Sequence, residues 1–180
     1  MTWYARQQRK ESDFAGPWKG DLPLSDTLKV HIHSGVGRAK DRSEPAFSYL
    51  KLQFINLEKD SPSNLDMVER KMGNLASNAD FVKALRTASH QPRIVTLSKE
   101  LTAAVTRTPK EVIVAFYRPK FEGGFEALPG YKLTPAKADE FARHLDAHVE
   151  RMAKFLALAD ADVKPSGVTD EFPMPKTVIS

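Results

Sequence analysis

Glu111-Val112-Ile113-Val114-Ala115-Phe116-Tyr117-Arg118 is the strongest strand signal in the chain, an unbroken run dominated by β-branched and aromatic residues. Alternation leaves two orientations open. Either Val112, Val114, Phe116 and Arg118 face outward, or Ile113, Ala115 and Tyr117 do. Downstream, Phe121-Glu122-Gly123-Gly124-Phe125 reads as a loop or hairpin and Gly130-Tyr131-Lys132-Leu133 as a short strand. Thr134 then supplies an N-cap and Pro135 the first helical position. The helix they open runs to about Ala159, with Phe141, Leu145, Val149, Met152 and Leu156 on one stripe. Upstream, Arg93 to Lys99 and Leu101 to Arg107 are further strand candidates. Strands followed by a covering helix define an α+β unit.

The first half has the same order. Thr27 to Ser34 is a strand with Leu28, Val30 and Ile32 on one face and Lys29, His31 and His33 on the other. A charged loop, Gly35 to Pro45, leads to Ala46 to Glu58, which alternates again. There Leu50, Leu52 and Phe54 form an apolar face opposite Phe47, Tyr49, Lys51 and Gln53. Ser61-Pro62-Ser63-Asn64 signals a turn and N-cap, after which Leu65, Val68, Met72, Leu75 and Ala76 recur at helical spacing. Gly73-Asn74 or Ser77-Asn78 can interrupt this helix before Phe81, Val82 and Leu85 resume the stripe, and His90-Gln91-Pro92 ends it.

An offset of 73 residues superposes Leu24-Ser25-x-x-Leu28 on Leu97-Ser98-x-x-Leu101 and sets the two helical stripes in phase, Val68 on Phe141 and Met72 on Leu145. The expected architecture is two antiparallel sheet-plus-helix repeats, about 21–90 and 93–159, within one domain spanning 21–159. The helices pack on one face of the sheets. Residues 1–20, with Trp3, Tyr4, Phe14 and Trp18 among four basic residues, read as an irregular arm. Residues 160–180, acidic and containing Pro165, Pro173 and Pro175, read as a flexible tail.

The chain has 180 residues, no cysteine and a net charge of +4 from 27 basic and 23 acidic side chains. The lack of cysteine excludes a disulfide scaffold, a thiol nucleophile and thiolate metal sites. No apolar run approaches the roughly 20 residues of a membrane span, and the N-terminus lacks a signal-peptide apolar segment. A cytoplasmic protein without membrane contact is expected. The mild excess of base is compatible with nucleic acid, and the basic arm and acidic tail offset one another around a basic body.

The second half resembles a known family. Its residues are Ile94-Val95-Thr96-Leu97-Ser98, then Val105-Thr106-Arg107, Val112 to Tyr117, the Gly123-Gly124 loop, and Leu128-Pro129-Gly130-Tyr131-Lys132-Leu133-Thr134-Pro135 with its helix. In this order they resemble the single-stranded-DNA-binding domain of the eukaryotic transcriptional positive cofactor and its bacterial and phage relatives. The duplicated form resembles the Whirly proteins, although their Lys-Gly-Lys-Ala-Ala-Leu motif is absent. The resemblance covers about residues 93–156. It implies binding of single strands along sheet faces and self-association through helices, as a homo-oligomer. The matching positions are Arg107, Tyr117, Arg118 and Lys120.

The residues themselves supply a physical basis. Unstacked bases stack on aromatic rings, and Lys and Arg neutralise phosphates. Phe47, Tyr49 and Lys51 place both ingredients in one row beside Lys29 and His31, and Tyr117 and Arg118 offer a second row. The same aromatic residues equally suit a sheet edge or a dimer contact. His31-x-His33 and His144-x-x-x-His148 have metal-compatible spacing but lack an evident acidic third ligand, so no metal or cofactor is expected. Gly35-Val36-Gly37-Arg38-Ala39-Lys40 lacks the Gly-Lys-Ser/Thr ending of a phosphate loop, and no Gly-x-Ser-x-Gly occurs. The expected function is non-enzymatic binding of single-stranded nucleic acid, with DNA favoured. The tail segment Asp170-Glu171-Phe172-Pro173 is a candidate for recruiting a protein partner. The competing reading is an interaction or assembly factor of phage or mobile-element origin, and metal-dependent hydrolysis comes third.

Overall fold

The computed structural model describes residues 15–37, 45–58 and 67–163. In chain order the elements are β1 (Ala15–Pro23), β2 (Leu28–Gly37), β3 (Phe47–Asn56), β4 (Met67–Lys71), α1 (Leu75–Thr87), β5 (Arg93–Ser98), β6 (Leu101–Arg107), β7 (Val112–Pro119), β8 (Phe125–Leu133) and α2 (Pro135–Val163). They form an α+β fold of two antiparallel four-stranded meanders, β1-β2-β3-β4 and β5-β6-β7-β8, each with helices on one face.

Alternation in the strands decides which face is covered. Val30 and Ile32 of β2 and Leu50, Leu52 and Phe54 of β3 are buried, while Lys29, His31, His33, Tyr49, Lys51 and Gln53 point to the open face. In β7 the orientation that alternation left open is resolved: Val112, Val114 and Phe116 are in the core. Ile113, Ala115 and Tyr117 therefore lie on the open face. Thr134 caps α2 as expected, its hydroxyl accepting from the Lys137 amide at 3.1 Å.

Four features depart from the sequence reading. First, residues 67–71, expected to be helical, are edge strand β4, with Val68 paired to Phe54. Positions four apart share a face in a strand as well as in a helix, so Val68 and Met72 satisfied both periods. Gly73, at φ +79°, then separates strand from helix, because a Cβ there would collide with the Leu97 carbonyl. The N-cap is Asn74, whose side chain accepts from the Ser77 amide at 2.9 Å; Ser61 to Asn64 lie outside the described residues.

Second, residues 15–20 of the expected irregular arm belong to β1. Trp18 and Leu22 turn inward there and Lys19 and Asp21 outward, with a register shift between Ala15 and Trp18. Residues 1–14 lie outside the described residues, as do Arg38 to Lys40; the first four residues of the tail expected over 160–180 belong to α2, which reaches Val163, and 164–180 lie outside the described residues. Third, the constant offset fails. Leu28 and Leu101 both open second strands, 73 residues apart, but the helices open at Leu75 and Pro135, only 60 apart. The repeat is one of architecture, with unequal connections.

Fourth, the helices cross over. Rather than covering its own sheet, α1 packs mainly on β5 and β6, and α2 on β2, and the two helices pack on each other. The result is one continuous core. At its centre Phe54, Phe81, Phe116 and Phe141 bring both sheets and both helices together, and Tyr131 stacks on Phe54 with ring centroids 4.1 Å apart. Among the described residues no helix is long and apolar enough to cross a membrane.

Candidate functional site

The register of the first sheet builds a row that no single strand contains. Lys19 of β1 lies opposite His33 of β2, His33 opposite Lys51 of β3, and Lys51 opposite Lys71 of β4. All four point to the open face, and among the described residues none of the three lysines forms an ion pair. Lys51 and Lys71 are like charges placed directly opposite one another, which weakens a sheet, so folding gains nothing from that pair. Burial, then the positive charges of Lys51 and Lys19, lower the pKa of His33, with Glu69 opposing. Its ring is held neutral between cations.

The neighbouring row is electrically different. Asp21, His31, Gln53 and Glu69 lie opposite one another across the same strands. Asp21 is hydrogen-bonded to His31 Nδ1 and paired with Lys29 at 3.6 Å, which lowers its pKa, the His31 hydrogen bond being the main cause. Gln53 donates to Glu69 at 3.1 Å. The open face is therefore graded, with compensated charge on one side and uncompensated positive charge on the other.

Tyr49 adjoins the basic row. Its ring lies across β2, where the partner residue is Gly35, and a Cβ at Gly35 would stand 2.6 Å from the tyrosine oxygen. Glycine makes that placement available. The Tyr49 ring meets His33 edge-on at 5.6 Å. Phe47, two residues earlier on the same face, is 48 % exposed and faces Gly37. A groove of about 700 Å³ runs from His33 and Tyr49 over Lys51 and Lys71 to the β5–β6 turn at Ser98-Lys99-Glu100. A smaller one, about 240 Å³, shares Lys71, Ser98 and Glu100 with it and continues to Arg70, Arg118 and Leu128.

Phe47, Tyr49 and Lys51 thus share one face with Lys29 and His31, the latter two tied to Asp21. The second-half positions do not form one row. Tyr117 and Arg118 are consecutive in β7 and point to opposite sides, as alternation requires, so the second row expected from them does not exist. Tyr117 is on the open face opposite Thr102. Arg118 sits exposed at the strand end, 3.8 Å from Glu126, and Lys120 is exposed in the β7–β8 hairpin. Arg107 lies on the helix side of β6. It donates to both carboxylate oxygens of Asp139, at 2.8 and 3.2 Å, and to the Leu85 carbonyl at 3.0 Å. It fastens both helices to the sheet, and its hydrogen bonds hold the Asp139 carboxyl below the usual range.

Sequence reasoning missed Lys19 and Lys71 because it assigned the first to an arm and the second to a helix, and Lys99 because only the fold brings the β5–β6 turn beside the first sheet. Lys19 and Asp21 do alternate with Trp18, Gly20 and Leu22, and that is the one signal that could have found β1. The histidine pairs also separate. His31 is held by Asp21, and His148 turns into the core, where its Nδ1 and the Ser34 hydroxyl share a hydrogen bond of 2.5 Å. Burial pushes the His148 pKa down to about 4. Among the described residues no group of three or more His, Asp or Glu side chains is placed to hold a metal.

No family model matches the sequence, and no curated protein matches it. Among solved structures the fold is similar to those of the Whirly proteins WHY3 and WHY1 from Arabidopsis thaliana, with TM-scores of 0.46 for both. Identity is 9 % and 8 %; the alignments cover 80 % of this chain and 93 % and 89 % of theirs.

Proposed function

We propose that the chain binds single-stranded nucleic acid, with DNA favoured, on the open face of its first sheet, without catalysing a reaction. The observation that carries this reading is the row Lys19–His33–Lys51–Lys71 across four strands, whose three lysines have no ion pair among the described residues and of which Lys51 and Lys71 face each other as like charges. Phosphates supply the missing counter-charge, and their neutralisation makes affinity depend on salt. Tyr49 and Phe47, beside the row, present rings on which bases stack. Lys29 and His31 form the margin of the surface. Arg107 is left out because its donors are engaged.

Titration of labelled single-stranded oligonucleotides at two salt concentrations tests the proposal. Binding that weakens as salt rises is expected, with the Lys51→Ala, Lys71→Ala double variant showing a shallower salt dependence by about two phosphate contacts. Absence of binding at low salt overturns it.

A second reading, contact with another protein chain, is favoured by the open face of the second sheet. There Ile94 is 62 % exposed, on the same face as Ala104, Ile113, Ala115 and Tyr117. Self-association belongs to the proposal, through the helices or through this face. Sedimentation of Ala79→Glu, on the exposed side of α1, and of Ile94→Glu distinguishes the two.

A further inference from the structure

We propose that the β7–β8 hairpin is a second base-stacking site, in which Phe121 and Phe125 hold nucleotides of the strand that crosses the first sheet. This rests on the nucleic-acid reading above. Phe121 is completely exposed and Phe125 is 60 % exposed, the two most open phenylalanines among the described residues. The hairpin that carries them is closed by its own backbone: the Lys120 amide donates to the Gly124 carbonyl at 2.9 Å, and the Gly123 amide donates to Lys120 at 3.1 Å. Gly123 and Gly124 both have positive φ, so the turn is made by residues without side chains and Phe121 projects from a defined loop.

The company these rings keep identifies the occupant. Surfaces that bind protein are depleted in lysine, yet Lys120 adjoins Phe121, and Arg118 lies one residue beyond Pro119. Arg118 is paired with Glu126 at 3.8 Å with both side chains more than half exposed, a pair weak enough to be exchanged for a phosphate. Rings interleaved with cations are the composition of a single-strand stacking platform. The position fits as well. The groove that starts at Tyr49 passes Lys71 and joins the smaller groove ending on Arg118 and Leu128, which stand on the two paired limbs of the hairpin. A strand that follows these grooves past Lys71, Arg70 and Arg118, with Glu69 and Glu100 also on their walls, reaches the base of this hairpin.

The test compares oligothymidylates of about 6 and about 20 nucleotides against the full chain and its Phe121→Ala, Phe125→Ala double variant. The variant is expected to lose about tenfold or more in affinity for the long oligonucleotide while binding the short one within about twofold of the unaltered chain. Its salt dependence should be unchanged, since no phosphate contact is removed. Equal affinity of variant and unaltered chain for the long oligonucleotide overturns the inference and leaves the first-sheet site standing. A variant that changes sedimentation but not affinity also overturns it, by making the rings a self-association contact. Failure of the unaltered chain to bind either oligonucleotide overturns both readings.

Discussion

On the open face of the first sheet Lys19, His33, Lys51 and Lys71 stand in one row across four strands; the corresponding middle row of the second sheet is Thr96, Thr102, Tyr117 and Ala127. Strand order, antiparallel pairing and a helix-covered inner face are common to both sheets. The inner faces are alike because both must fill one core. The outer faces answer to no such demand, and they diverge into a charged, grooved surface and one on which Ile94, Ile113 and Tyr117 stand among small residues, with Lys132 paired to Glu111. Where a fold is repeated, its uses are written on the faces the fold leaves free.

The contrast can be broken at several points. The largest effect should come from the shared interior. Phe116→Ala removes a ring that meets Phe54 of the first sheet, Phe81 of α1 and Tyr131 of β8, and should cost about 3–5 kcal/mol in urea denaturation. Tyr117→Ala, one residue on and facing out, should cost about 1 kcal/mol or less. Equal losses would mean that inner and outer faces do not differ as described.

Next is an acid-sensitive contact of the first sheet, the bond between Ser34 of β2 and His148 of α2. A folded-state pKa of about 4, against 6.5 in the unfolded chain, favours the neutral imidazole in the folded protein. That stability is complete above pH 6.5 and is lost as pH falls toward 4, by on the order of 3 kcal/mol. Denaturation midpoints measured from pH 7 to pH 4 should decline, and His148→Gln should flatten the decline. A variant with the same slope as the unaltered chain would assign the acid sensitivity elsewhere.

Binding sharpens the contrast further. Reversing charge in the row, Lys51→Glu with Lys71→Glu, should lower oligonucleotide affinity about a hundredfold at low salt. The same two negative charges on the second sheet, Thr96→Glu with Ala127→Glu, should change it by less than about threefold. If both pairs weaken binding alike, the effect is one of net charge and the row has no special standing. The smallest effects belong to the aromatic component. Tyr49→Ala should cost about tenfold in affinity, and Gly35→Ala, whose methyl group pushes the same ring off β2, about twofold, a third of that loss in free energy. Both are read by the same titration.

Much of this was legible in the residues. The alternation of Leu28, Val30 and Ile32, that of Leu50, Leu52 and Phe54, and the Thr134-Pro135 helix start each carry their structure locally, because one strand face or helix stripe must be buried whatever lies opposite. What escaped depends on partners distant in the chain. Val68 and Met72 fit a strand and a helix equally, and only pairing with Phe54 decides. Arg107 reads as a free cation on a strand until Asp139 arrives from α2. Phe47, Tyr49 and Lys51 were recognisable as a ring-and-cation face, but the basic row requires the register of three strand pairs, and Lys19 and Lys71 sit on the two edge strands whose signals were weakest. The cross-over of the helices leaves no local trace, since either amphipathic stripe could cover either apolar sheet.

That cross-over sets the order in which the molecule can be completed during synthesis. The chain emerges from its N-terminus, so the first sheet is made early, yet the helix that lies on β2 is the last described element, Pro135–Val163. Until it is translated, Val30, Ile32 and Leu52 lack the cover they have in the finished protein. α1, made in between, has no sheet to occupy before β5 and β6 follow it. A nascent chain stopped short of Pro135 is therefore expected to carry an open apolar surface on its first sheet, of the kind that invites aggregation, until the 29 residues of α2 cover it.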